Sequence, residues 1–158
     1  MSKGAPGIEL VIFAGLQASG KSTFYRTYFA ATHVLVSKDL FRHNKRPSRR
    51  QAYLVEAALA AGRSGVVDNT NPTLEDRRPL IELGRSYGAS IVGYYFDAEV
   101  EACLARNRRR EGRAHVPDVA IYATAKRLVR PAYAEGFDRL FRVTLAEMQY
   151  RISLQPVK

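Results

Sequence analysis

Residues Gly15-Leu16-Gln17-Ala18-Ser19-Gly20-Lys21-Ser22 fit the pattern G-x-x-x-x-G-K-[ST], which is built to hold a chain of phosphates. The first glycine permits a sharp exit from a strand. Backbone N–H groups of Gly15, Gln17, Ala18, Ser19 and Gly20 then converge on anionic oxygens, and the helix that follows adds the positive end of its dipole. Lys21 neutralises the outer phosphate oxygens of a nucleoside triphosphate, and the Ser22 hydroxyl is placed for Mg²⁺, with Thr23 next in the binding set. The pattern lies between a predicted strand and a predicted helix, which is the context it needs. ATP is the expected donor, since the chain has no N-K-x-D guanine signature.

Two carboxylates fall just beyond predicted strands, where open α/β sheets bind their ligands. Asp39 follows the second strand and Asp68 ends the third. Moving a phosphoryl group onto a hydroxyl needs a carboxylate beside the attacking oxygen and cations around the phosphoryl oxygens. Asp39 suits the first need, and Arg42, three residues on, suits the second if a helical turn starts there. The plainer reading makes Asp39 an N-cap paired with Arg42. Asp68 reads either as a metal partner together with Ser22 or as the first residue of the turn Asp68-Asn69-Thr70-Asn71-Pro72, and it could also act by orienting Arg42.

Of 158 residues, 25 are Lys or Arg and 15 are Asp or Glu, a formal net charge of +10. Such a balance favours an anionic partner. It is concentrated in Arg42 to Arg50, with five basic residues and His43, and in Arg106 to Arg113, with five more. Both runs begin next to candidate site elements. A groove from Arg42 through Arg50, helped by Arg77 and Arg78, would hold the phosphates of a single strand. Phe41 or Tyr53 would offer a stacking face for its terminal base. A single cysteine, Cys103, excludes a disulfide framework and a cysteine zinc site. No apolar run is long enough to span a bilayer, and the N-terminus lacks a signal peptide's pattern. The expectation is one soluble, cytoplasmic domain over residues 1–158.

Strands and helices alternate. Ile8 to Ala14 reads as a strand buried on both faces, followed by a helix from Lys21 to about Ala30 and a strand at His33–Ser37. Leu54, Ala57, Ala58 and Ala61 predict the inner face of a helix from Pro47, stopped by Gly62. Gly65–Asp68 is the third strand. Thr73 and Asp76 predict a capping box for a helix to about Tyr87. Ala89 to Phe96 is predicted as the longest strand, with Asp97 capping a helix that turns Val100, Cys103 and Leu104 inward. A helix from Pro117 and a last strand near Leu140–Leu145 complete a parallel α/β sheet.

Taken in order, G-L-Q-A-S-G-K-S-T (15–23), V-S-K-D-L-F-R (36–42), V-D-N-T-N-P (67–72), R-N-R-R-R (106–110), H-V-P (115–117) and A-E-G-F-D (134–138) resemble the kinase domain of the 5′-hydroxyl polynucleotide kinases of phage, bacterial and animal nucleic-acid repair. The resemblance runs from about Leu10 to Val143. It implies a three-layer P-loop kinase fold with a central parallel sheet of about five strands and an Arg-rich lid at about 106–117. It makes Lys21 and Ser22 the ligands of ATP and Mg²⁺, Asp39 the general base on a 5′-hydroxyl, and Arg42 a contact to a substrate phosphate. Arg110 becomes the lid arginine over the donor phosphates and Arg106 its neighbour on the nucleotide side. Arg106 stands one residue further from Val116-Pro117 than in the phage enzyme, which leaves Arg109 as the alternative to Arg110. Lys38 replaces the arginine that precedes the aspartate in the relatives. The chain has no D-x-D motif, so 3′-phosphatase activity is not expected. Two other readings stay open: a small-molecule kinase, insensitive to salt and acceptor length, and an ATP-binding module without transfer.

Overall fold

A computed structural model describes residues 7–41 and 43–157. The first strand, β1 (Glu9–Gly15), is buried from Leu10 onward because every residue in that run is apolar or glycine. Helix α1 (Lys21–Tyr28) leaves the phosphate loop behind it. There follow β2 (Val34–Val36), a 3-10 turn at Lys38–Phe41, α2 (Pro47–Ala60), β3 (Gly65–Val67), α3 (Leu74–Ser86), β4 (Ser90–Phe96), α4 (Val100–Arg108), α5 (Asp118–Arg127), β5 (Arg139–Ala146) and β6 (Gln149–Leu154).

The strands lie in the order β2-β3-β1-β4-β5-β6. The first five are parallel, and β6 runs antiparallel beside β5. The expected central parallel sheet of five strands is therefore present, with one added edge strand. β1 sits between β3 and β4, so the chain changes direction across the sheet where the phosphate loop leaves β1. Helix α1 covers one face, packing Phe24 over Val11, Phe13, Val66, Val92 and Phe96. Helices α2 and α3 cover the other, packing Val55 and Leu80 over Leu10, Ile12, Val36 and Ile91. A third small core joins Leu16 and Ala18 of the loop to Cys103 and Leu104 of α4 and Ile121 of α5. This third core seats the arginine-bearing helix directly on the phosphate loop.

Several local expectations hold in detail. Thr73 accepts from the Asp76 N–H while the Asp76 carboxylate accepts from the Thr73 N–H, which is the capping box. Cys103 and Leu104 point inward from α4. Others need correction. Of the expected inner face of α2, Ala58 is buried and Leu54 packs against the core, but Ala57 and Ala61 are exposed and Gln51, Val55 and Leu59 take their place. The helix turns so that its bulkier aliphatic side chains, Val55 and Leu59, gain the burial that alanines would have gained less from. Asp97 does not cap α4; its carboxylate accepts from Arg142 Nε at 2.7 Å, and Glu99 stands at the N-cap. The longest strand is β5, with eight residues against seven in β4.

Candidate active site

The loop between β1 and α1 is held in a shape that few residues tolerate. A Cβ on Gly15 would lie 2.8 Å from the Phe96 Cβ, so only glycine lets β1 end this close to β4. Gly20 at φ 98° and Ala18 at φ 62° are both left-handed. For Ala18 that conformation costs on the order of 1 kcal/mol, offset by the contacts that fix the loop. The Ala18 carbonyl accepts from Arg106 Nε at 2.6 Å, and the Tyr150 hydroxyl donates to the Gly20 carbonyl at 2.7 Å. The loop is thus clasped from α4 on one side and from β6 on the other. Gln17 Nε2 donates to Thr124 Oγ1 at 3.0 Å, tying the loop to α5 as well.

Lys21 is buried, and its Nζ donates to the carbonyls of Leu16 at 2.6 Å and Gly15 at 3.2 Å. Burial pushes its ammonium down to about 8; the charge of Asp68 opposes the fall and that of Arg110 adds to it. Ser22 Oγ donates to Asp68 Oδ2 at 2.8 Å, joining the end of the phosphate loop to the end of β3. Burial raises the Asp68 carboxyl above the usual carboxylate range, while Lys21 and the Ser22 hydrogen bond pull it back. The hydroxyl and carboxylate form a pair of hard oxygen donors, the chemistry that suits Mg²⁺ alongside phosphate oxygens.

Asp39 lies in the 3-10 turn after β2, two strands from the phosphate loop. Its negative charge is among the smaller influences on Lys21 and Asp68. Asn69 positions this turn, a role the sequence reading missed. Its Oδ1 accepts from the Lys38 N–H at 2.9 Å, and its Nδ2 donates to Gln51 Oε1 on α2. Two residues on, Asn71 adopts φ 41° and donates from Nδ2 to the Phe13 carbonyl at 2.7 Å. The side-chain amides of the segment Asp68-Asn69-Thr70-Asn71 tie β1, the 3-10 turn after β2, and α2 together. The visible signal was two asparagines alternating with Asp68 and Thr70 just past a buried strand.

The arginines expected over the phosphates separate. Arg106 is committed to the loop carbonyl, as above. Arg109 is exposed at the C-cap of α4. Arg110 is half-buried, and its charge reaches Lys21 and Cys103. Arg42 lies outside the described residues. Arg77 is a correction. It is 0% exposed, forks onto Glu135 at 2.8 and 3.0 Å and donates from Nη1 to the Asn71 carbonyl at 2.8 Å. A guanidinium so enclosed cannot meet a substrate phosphate; it braces the loop after β3 instead. Phe41 is half-buried against the Leu10–Val55 core rather than offered to a base.

Residues 10–132 match the AAA domain family, most of the chain. The chain belongs to that family. Within it, this AAA domain is 27% identical over 141 residues to the bifunctional polynucleotide phosphatase/kinase of Schizosaccharomyces pombe, covering 85% of this chain and 33% of that one. It is 28% identical over 143 residues to a putative bifunctional polynucleotide phosphatase/kinase of Acanthamoeba polyphaga mimivirus, covering 86% and 33%. The AAA domain thus spans about a third of the length of these relatives. Among solved structures it is similar to a chain of the Pnkp1/Rnl/Hen1 RNA repair complex, with TM-score 0.65 and 26% identity over 80% of this chain and 46% of that one. A sugar kinase from Janibacter sp. HTCC2649 shares the fold at TM-score 0.64 and 18% identity, over 87% and 86% of the two chains. The fold is that of the P-loop kinases. Among the described residues no helix of this AAA domain is long and apolar enough to cross a membrane.

Proposed function

We propose that this domain is an ATP-dependent polynucleotide kinase that phosphorylates the 5′-hydroxyl end of DNA or RNA in nucleic-acid repair, with residues 106–117 as its lid. The observation that carries this reading is the hydrogen bond from Ser22, at the end of the phosphate loop, to Asp68 at the end of β3, with the turn that bears Asp39 tied to the same loop through Asn69. Kinship with polynucleotide phosphatase/kinases supports the acceptor.

In this reading the 5′ oxygen forms a bond to the γ-phosphorus as the bond from that phosphorus to the β–γ bridging oxygen breaks. ADP leaves with the electron pair, and the hydroxyl proton passes to the Asp39 carboxylate. Lys21 leaves its loop carbonyls for the phosphate oxygens. Arg110 closes over the same charge from the lid, and Arg42 takes a phosphate of the acceptor. Ser22 and Asp68 would hold Mg²⁺, which supplies positive charge against the phosphates when bound.

The test is transfer from γ-labelled ATP with Mg²⁺ to DNA and RNA oligonucleotides bearing 5′-hydroxyl ends, beside a panel of sugars and nucleosides. Label on the oligonucleotide ends is the expected result. Label on a sugar or nucleoside alone would give the acceptor to a small-molecule kinase, the second reading that the shared sugar-kinase fold supports. Asp39→Asn is expected to keep ATP binding and lose transfer by about 100-fold or more, because an amide cannot accept the proton.

A further inference from the structure

We propose that the outward face of α2 is a track for the strand behind the reacting end, with Tyr53 as a stacking platform for an internal base. This rests on the kinase reading above for its partner, single-stranded nucleic acid.

Helix α2 buries Gln51, Val55, Ala58 and Leu59, and the opposite side of its first turns carries Arg49, Arg50 and Tyr53, with Arg46 at the N-cap. All four are exposed, and so is Lys45 just before them. Tyr53 is 60% exposed, although an aromatic ring gains most from burial. The Arg50 guanidinium lies over it, 5.4 Å from the ring centroid, which fixes the ring's attitude while most of it stays open to solvent. The acid of this helix, Glu56, is turned away, accepting from the Tyr87 hydroxyl on α3 at 2.8 Å. Cations that track a backbone beside an aromatic face that takes a base in any sequence are the two parts of a single-strand site. No anionic protein surface needs the ring.

The track is continuous with the acceptor turn. Lys38 Nζ, next to Asp39, donates to Ser48 Oγ at 3.3 Å, which docks that turn on the start of α2. Tyr53 is five residues further, about 7.5 Å along the helix and about 140° around it, so a strand leaving that turn passes over Arg49 to reach the ring. The ring therefore meets a base behind the terminal nucleotide, whose hydroxyl is at Asp39. This departs from the expectation of a platform for the terminal base itself.

The chain has no tryptophan, so Tyr53→Trp creates a lone indole that keeps the stacking face. Its emission is expected to be quenched by a single-stranded octanucleotide and not by a nucleoside 3′-phosphate or by base-free polyphosphate. Tyr122→Trp, on exposed α5 surface, serves as the control and is expected to stay unquenched. In turnover, KM for 5′-hydroxyl acceptors should fall with length in the native protein, and Tyr53→Ala should erase about 5-fold or more of that gain with little change in kcat. Equal quenching by polyphosphate, or an unaltered length dependence in Tyr53→Ala, overturns the track. Quenching by the octanucleotide in a protein that phosphorylates no 5′-hydroxyl keeps the track and overturns the kinase reading. Turnover without quenching does the reverse.

Discussion

The Asn69 side chain accepts from the Lys38 backbone N–H at 2.9 Å, so the loop that ends β3 holds the turn that carries Asp39. Asp68, one residue before Asn69, is hydrogen-bonded to Ser22 at the end of the phosphate loop. The three loops at the strand ends thus form one frame, in which the Asn69 amide links the turn of Asp39 to the loop of Asp68. Asn69→Ala removes that frame without touching any charged group. We expect kcat to fall about 10-fold, while KM for ATP changes less than 2-fold, with a stability loss of about 1 kcal/mol for the lost hydrogen bonds. Asn69→Asp keeps the acceptor for Lys38 and should recover part of kcat. Equal losses in both variants, matched by equal losses of melting temperature, would reduce Asn69 to a stabilising residue.

Lys21 carries a pH signature. Its folded-state value is about 8 against an ordinary 10.5, the fall coming first from burial. Between those values the unfolded chain binds more protons than the folded one, so stability rises with pH there. The gap of about 2.5 units corresponds to about 3 kcal/mol of folding free energy, withheld below pH 8 and recovered by about pH 10.5. Lys21→Met lacks this term. The stability difference between native and variant proteins, measured by urea unfolding from pH 7 to 11, should shift by that amount in favour of the native protein. The same titration should make kcat/KM for ATP fall as pH rises through 8, since the free protein then loses the cation that meets the phosphates. A flat difference curve would mean that Lys21 is not desolvated in solution.

The features legible in the sequence were those written in neighbouring residues. The phosphate loop needs only residues 15–22, the capping box only Thr73 and Asp76, and the alternation of strands and helices is read window by window. What escaped depends on partners far along the chain. Arg77 looked like one more surface cation until Glu135, 58 residues later, enclosed it. Strand β6 escaped for a local reason. Its hairpin turns through Glu147 and Met148, both at positive φ, where glycine or asparagine would have announced the turn. The alternation of Tyr150, Ile152 and Leu154 was the remaining signal.

The Arg77–Glu135 pair leads to a stability prediction free of catalysis. Both side chains are buried, and removal of either leaves an unpaired charge in the core between α3 and the segment before β5. Glu135→Ala and Arg77→Ala should each cost about 3–5 kcal/mol by denaturant unfolding. The double variant Arg77→Met with Glu135→Leu should recover most of that loss, because two apolar groups replace two desolvated ones. A double variant no more stable than the singles would show that the Arg77 bond to the Asn71 carbonyl is the larger part.

The lid proposed above gives a prediction that separates two adjacent arginines. Arg110 is half-buried with its charge felt at Lys21, whereas Arg109 is exposed and closes α4 through its backbone N–H to the Arg106 carbonyl. In phosphoryl transfer the charge spreads over the equatorial oxygens, and a cation aimed at them is worth about 10³-fold or more in kcat. Arg110→Ala should therefore lower kcat by about that factor, with Arg110→Lys recovering only part because ammonium lacks the planar fork. Arg109→Ala should stay within about 3-fold of native, in keeping with its exposed side chain. Steady-state kinetics on the same oligonucleotide acceptor decides the matter. The reverse pattern would move the lid cation one residue back and require α4 to unwind its last turn on closing.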